Sequence, residues 1–140
     1  MTDNSKNTIL VVDDEEGILE ISEEYFERKG YRVYTARNGV EAIDLIKRVK
    51  IGCCFTDINM PEMDGLELAE QIRTFDSTLP VVVMTGYPSL DNTIRTLKNG
   101  VVDFLVKPVN LEQMELSYRR IVRERGLFVE NLIQREEVER

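Results

Sequence analysis

Thr8-Ile9-Leu10-Val11-Val12 is an unbroken β-type apolar run that stops at Asp13-Asp14. A strand apolar at every position, rather than at alternate ones, is covered on both faces, as in a parallel sheet with helices on each side. Working outward, the same unbroken pattern recurs in Pro80-Val81-Val82-Val83-Met84, while Ile51 to Thr56 is a short strand and Val102-Asp103-Phe104-Leu105-Val106 the last one. Tyr31 to Ala36 alternates instead and reads as an edge strand. Between these runs lie helical stretches. Glu16 to Lys29 places Ile18, Leu19, Ile21 and Phe26 roughly at helical spacing, with Gly30 as its stop. Val40 to Val49 turns Ala42, Ile43 and Ile46 inward. Leu66 to Phe75 follows the loop Pro61-Glu62-Met63-Asp64-Gly65, Ser89 to Asn99 ends at Gly100, and Asn110 caps a final helix. Strands alternating with helices predict an α/β, three-layer, doubly wound fold on a five-stranded parallel sheet, with right-handed connections.

The chain has 140 residues, 42% of them hydrophobic, and a formal net charge of −8. That size and apolar content suit one domain with an ordinary core. The negative charge disfavours direct nucleic-acid binding and attracts basic partner surfaces. No run of about 18 apolar residues exists to cross a membrane, and the polar start, Met1 to Asn7, lacks a secretory core. Cys53 and Cys54 are adjacent, so in a strand they face opposite ways and read as reduced packing residues. A cytoplasmic protein without membrane association is the expectation.

The polar residues that follow the apolar runs are Asp13-Asp14, Asp57, Thr85 and Lys107-Pro108. All fall at carboxyl ends of strands, where open α/β sheets bind their ligands. Taken singly, each has a plainer explanation: a helix cap, an acidic first turn, a turn threonine, a surface lysine. Together, three carboxylates, a hydroxyl and an ammonium at one sheet edge suit a divalent cation and a phosphoryl group. Ionised carboxylates 4 Å apart repel by roughly 4 kcal/mol at an effective dielectric of about 20, so the cluster binds protons or a cation. Oxygen donors favour Mg²⁺, and a chain without histidine disfavours Zn²⁺. Asp57 ends its strand alone and is the candidate nucleophile toward phosphorus, forming an acyl phosphate. Lys107 supplies a mobile positive charge, Thr85 a hydroxyl donor, and the Asn59 backbone carbonyl lies within reach of the metal.

Ile9-Leu10-Val11-Val12-Asp13-Asp14-Glu15, the stretch Thr56 to Gly65 with its Asp-x-x-Met-Pro-x-Met-Asp-Gly pattern, Val83-Met84-Thr85-Gly86 and Val102 to Pro108 together resemble the receiver domain of bacterial two-component response regulators, the CheY-like family. The resemblance covers roughly residues 7 to 123. It implies a flavodoxin-like strand order 2-1-3-4-5 and a domain that catalyses its own phosphorylation and dephosphorylation without being a conventional enzyme. Asp57 would be the phosphoacceptor. Asp14 would be the direct ligand of Mg²⁺ (or Mn²⁺), Asp13 would hold it through water, and Asp57 and the Asn59 carbonyl would complete the set. Thr85 and Lys107 would sense the phosphoryl group, Phe104 would be the switching aromatic, and the Lys107–Pro108 peptide would be cis. A plain core role for Phe104 is the alternative. Asn59 and Tyr87 would tune the site entrance. The implied partners are a sensor histidine kinase or histidine phosphotransfer protein upstream, and downstream an effector or an output domain of the same protein.

Residues 1–7 read as a disordered arm, 8–123 as the receiver domain and 124–140 as a C-terminal helical extension or linker. Gly126 costs roughly 1 kcal/mol inside a helix, yet a helix that outlasts the domain is the preferred reading. Tyr118, Ile121, Val122, Phe128, Val129 and Leu132 trace a loose seam at 3.5-residue spacing, which suits a homodimer through the last helix. The alternative function is a silent interaction or dimerisation module. An Asp-nucleophile phosphatase needs a second acid where Asn59 stands, and a flavin or nucleotide module needs a phosphate loop where Asp13 to Glu16 stand.

Overall fold

The structure, a computed structural model, describes residues 7–87 and 101–139, with side chains as far as residue 125. Its elements are β1 (Thr8–Val12), α1 (Glu16–Arg28), β2 (Arg32–Ala36), α2 (Gly39–Arg48), β3 (Cys53–Asp57), α3 (Gly65–Phe75), β4 (Val81–Thr85), β5 (Asp103–Val106) and α4 (Leu111–Glu139). All strand pairs are parallel, and the sheet order is β2-β1-β3-β4-β5. The three-layer doubly wound fold with a long last helix is therefore present. Residues 1–6 of the arm expected over 1–7, and the helix expected over Ser89 to Asn99, lie outside the described residues.

Alternation along the strands divides the core in two. Leu10, Val12, Cys54, Val81 and Val83 face Ala42 of α2 and Leu66, Leu68, Ala69 and Ile72 of α3. Ile9, Val11, Cys53, Phe55, Val82 and Met84 face Leu19 and Phe26 of α1 and Met114, Tyr118 and Ile121 of α4. The adjacent cysteines thus sit in different layers, both buried and unbridged. β1, β3 and β4 are buried at all positions, whereas β2 and β5 are half-exposed edges. Burying one of the larger apolar side chains contributes about 1.5–3 kcal/mol, so the central runs both define and hold the sheet.

Local signals fix the helix ends. Asn38 Oδ1 accepts from the Glu41 N–H, Asp64 Oδ1 from Leu66 and Glu67, and Asn110 Oδ1 from Glu112 and Gln113. Gly30, at φ +92°, releases the chain from α1 toward β2. On α1 the buried residues are Leu19, Ser22 and Phe26, while Ile21 is exposed.

The last helix corrects the seam expected along it. Tyr118 and Ile121 are buried in the domain's own core, packed with Phe55, Cys53 and their neighbours. They serve the sheet face rather than a second chain, because α4 still lies on the sheet at those positions. α4 runs through Gly126 to Glu139 without interruption. The side chains of Phe128, Val129 and Leu132 lie outside the described residues.

Candidate functional site

Parallel pairing brings β1, β3, β4 and β5 to one edge at their carboxyl ends. Register pairs Val12 with Thr56, Asp57 with Met84 and Thr85 with Val106. Asp13, Asp57, Thr85 and Lys107 consequently emerge side by side. The chain goes from β1 to β2 on one side and later returns to β3 on the other, so the Asp13 and Asp57 ends flank the crevice where strand order reverses.

Asp13, Asp14 and Asp57 each offer a carboxylate oxygen, and these oxygens lie within 4.8 Å of one another. Asp13 is fully buried, Asp57 is nearly so, and Asp14 is exposed. The Asp13 N–H donates to the Ala36 carbonyl, and its Oδ1 accepts from the Glu15 N–H at 2.9 Å. Asp57 Oδ1 accepts from the Asn59 N–H at 3.3 Å. Lys107 Nζ stands 3.2 Å from an oxygen of both Asp13 and Asp57. Its backbone N–H donates to the Thr85 carbonyl at 2.7 Å, which ties β5's end to β4's. Thr85 is buried, and its Oγ1 accepts from the Tyr87 N–H at 3.0 Å. The Tyr87 side chain is 77% exposed at the rim, and Asn59 is exposed beside Asp57.

Too many acids share this crevice for one lysine. Burial pushes the Asp13 carboxyl above the usual aspartate range, and Asp57 adds to the rise against the pull of the Glu15 N–H and Lys107. Burial likewise raises Asp57, with Lys107 and the Asn59 N–H opposing it and Asp14 adding to it. Burial disfavours the Lys107 charge, but the Asp13 and Asp57 carboxylates outweigh it and hold the ammonium above its ordinary value. The donor set is all carboxylate, the chain has no histidine, and both thiols are sealed in the core. These residues fit a hard divalent cation such as Mg²⁺ or Mn²⁺.

The structure thus brings together Asp13, Asp14, Asp57 and Lys107, with Asn59, Thr85 and Tyr87 along the same edge. The Lys107–Pro108 peptide is cis. Phe104 stands apart from them on β5, in register with Val83 and 39% exposed, which removes the plain core role considered for it. Sequence reasoning missed that Lys107 bridges Asp13 as well as Asp57, a contact between residues 94 positions apart. It also missed Gly65, whose Cα faces the backbone of Asp57 with no room for a side chain.

Comparison with known proteins shows the family and the fold. Residues 9–119 match the family model described as response regulator receiver domain. The transcriptional regulatory protein ZraR of Klebsiella oxytoca is 38% identical over 109 residues, 78% of this chain and 25% of that protein. The response regulator MprA of a Mycobacterium species is 36% identical over 115 residues, 82% of this chain and 50% of that protein. The chain therefore spans a quarter to a half of these curated relatives. A CheY-like receiver domain from Methanospirillum hungatei superposes with a TM-score of 0.82 at 29% identity, covering 86% of this chain and 96% of that one.

Proposed function

Because this chain belongs to the response regulator receiver family, we propose that it accepts a phosphoryl group on Asp57 from the phosphohistidine of a sensor histidine kinase or histidine phosphotransfer protein. The observation that carries this reading is the acid cluster of Asp13, Asp14 and Asp57 with Lys107 Nζ 3.2 Å from two of its members. An Asp57 carboxylate oxygen forms the bond to phosphorus as the bond from phosphorus to imidazole nitrogen breaks. The imidazole keeps the electron pair and takes a proton from solvent. Asp14 and Asp57, with the Asn59 carbonyl and with Asp13 through water, would hold Mg²⁺ (or Mn²⁺), whose charge offsets that of the phosphoryl oxygens. Lys107 leaves its contact with Asp57 for a phosphoryl oxygen, and the Thr85 O–H donates to another. The rim residues Asn59 and Tyr87 set water access and hence the lifetime of the acyl phosphate.

The switch follows from the same edge. Thr85 and Phe104 lie on the same sheet face of neighbouring strands, two residues apart in register. Drawing Thr85 toward the phosphoryl group opens room into which the exposed Phe104 ring turns. That reshapes the surface of β5, α4 and the segment over Ser89 to Asn99. Moving such an equilibrium from 1:99 to 99:1 takes about 5.5 kcal/mol. Residues 8–123 form the receiver unit on this reading. The extension over 124–140 links it to an effector, an output domain or a second copy. A beryllofluoride-activated NtrC4 receiver domain, solved as a dimer, is 32% identical, with a TM-score of 0.78, 84% of this chain and 98% of that one covered; it supports the homodimer.

Incubation with acetyl phosphate and Mg²⁺, followed by intact-mass measurement, tests the proposal. One added phosphoryl group that disappears in Asp57→Ala is expected. No added mass on folded protein, or equal labelling of the variant, overturns it.

A further inference from the structure

Gly65 opens α3 one residue after the cap Asp64. Its backbone needs no left-handed conformation: among the described residues the glycine with positive φ is Gly30. Its constraint is space. A Cβ built on Gly65 would lie 2.2 Å from the Asp57 carbonyl oxygen, 3.0 Å from the Asp57 carbonyl carbon and 3.0 Å from Ile58 Cα. All three are backbone atoms, so no side-chain rotation relieves the contact. Gly39 differs: there the nearest atoms belong to the flexible Met63 side chain.

The close approach is held from several sides. The Gly65 N–H donates to the Ile58 carbonyl at 2.9 Å, and the Ile58 N–H donates to the Met84 carbonyl at 3.0 Å. The buried Thr56 hydroxyl donates to the Asp57 carbonyl oxygen at 3.1 Å. The peptide leaving Asp57 is therefore clamped between the first residue of α3 and the Thr56 hydroxyl. The same peptide sets where the Asn59 N–H meets Asp57 Oδ1.

We infer that Gly65 is a positioning residue for phosphorylation: by presenting no side chain to the Asp57 peptide, it fixes the acceptor carboxylate between Asp13, Asp14 and Lys107. This rests on Asp57 being the acceptor. A methyl at position 65 must open the 2.2 Å separation toward the 3.4 Å of ordinary contact. The needed shift of about 1 Å is of the size that costs roughly a hundredfold in a reaction relying on pre-set geometry.

The test compares Gly65→Ala with wild type and with Gly17→Ala, a helical glycine with no atom within 4 Å of its built Cβ. Phosphorylation from acetyl phosphate with Mg²⁺ is followed alongside the amide spectrum. In wild type the label must first appear on Asp57; if it does not, the acceptor assignment fails before Gly65 is judged. With a labelled wild type, Gly65→Ala is expected to be about a hundredfold slower. The Asn59 amide resonance should move, the β1 resonances should stay in place, and Gly17→Ala should match wild type. A folded Gly65→Ala labelled at the wild-type rate, or one whose Asn59 resonance does not move, overturns the inference. Should Gly65→Ala not fold, Thr56→Val decides, because it removes the other restraint on the same carbonyl without adding bulk. Slower labelling of that variant supports the clamp, and an unchanged rate refutes it.

Discussion

Replacing Asp57 by asparagine should stabilise the metal-free protein and abolish most of its response to Mg²⁺. The Asp57 oxygen lies within 4.8 Å of oxygens on Asp13 and Asp14 and 3.2 Å from Lys107 Nζ. At an effective dielectric of about 20, each repulsion is worth about 3 kcal/mol and the attraction about 5 kcal/mol. Asp14 is exposed, so solvent screens its share of the repulsion, but the hydration lost by the buried Asp57 carboxylate acts in the same direction, and the charge of Asp57 is unfavourable by about 1–2 kcal/mol in the absence of metal. Lys107 keeps Asp13 as its partner in the variant. At about 2–4 °C per kcal/mol for a domain of this size, Asp57→Asn should melt several degrees higher in EDTA. Mg²⁺ at about a hundred times its Kd should raise wild type by about 2.7 kcal/mol. The variant, one carboxylate short, should gain much less. Thermal denaturation monitored by circular dichroism, with EDTA and with Mg²⁺, gives all four midpoints. A variant less stable than wild type in EDTA, or equally stabilised by Mg²⁺, would refute the idea that mutual repulsion prepares this crevice for a cation.

Three further outcomes can be checked. Thr85→Ala should take up the phosphoryl group like wild type yet respond weakly; partner binding or dimerisation by the phosphorylated variant at wild-type strength would count against the switch. Tyr118→Phe should raise stability by about 1 kcal/mol in urea denaturation, since among the described residues the buried Tyr118 hydroxyl has no hydrogen-bond partner to lose. The Glu115 carboxyl takes hydrogen bonds from Tyr25, Tyr31 and Arg119, with Lys29 nearby. Burial pushes it up, but those hydroxyls and cations hold it below the usual glutamate range. Its stabilising effect is then complete above the unfolded value of about 4.3 and fades as pH falls through the lower folded value. A stability gap between wild type and Glu115→Gln that is full at neutral pH and closes in acid is expected; a gap independent of pH would contradict it.

The sheet was legible because β1, β3 and β4 are apolar at nearly every position, and full burial permits little else. Strand bounds drifted by one or two residues: Ile51 and Gly52 precede β3, Pro80 precedes β4 and Val102 precedes β5. The polar residues after each strand could be read as one site because parallel strands deliver their carboxyl ends to one edge. Contacts that depend on register or on close approach could not be read from the sequence, even where, as with Gly65, the residue itself closes a quoted motif. Lys107 reaching Asp13, Glu115 gathering two tyrosines, and Gly65 seated on the Asp57 carbonyl are of this kind. The expected seam failed at Tyr118 and Ile121 because one heptad-like stripe serves equally to pack a helix on its own sheet. Among the described residues no helix is long and apolar enough to cross a membrane.

The most direct measurement is chemical location of the phosphoryl group. Protein treated with acetyl phosphate and Mg²⁺ is reduced with borohydride, which converts an aspartyl phosphate to homoserine, and then mapped by peptide mass spectrometry. Homoserine at position 57 in the Cys53–Asp57 strand is the predicted result. Label at another residue, or a folded, metal-supplied protein that carries none, contradicts the account.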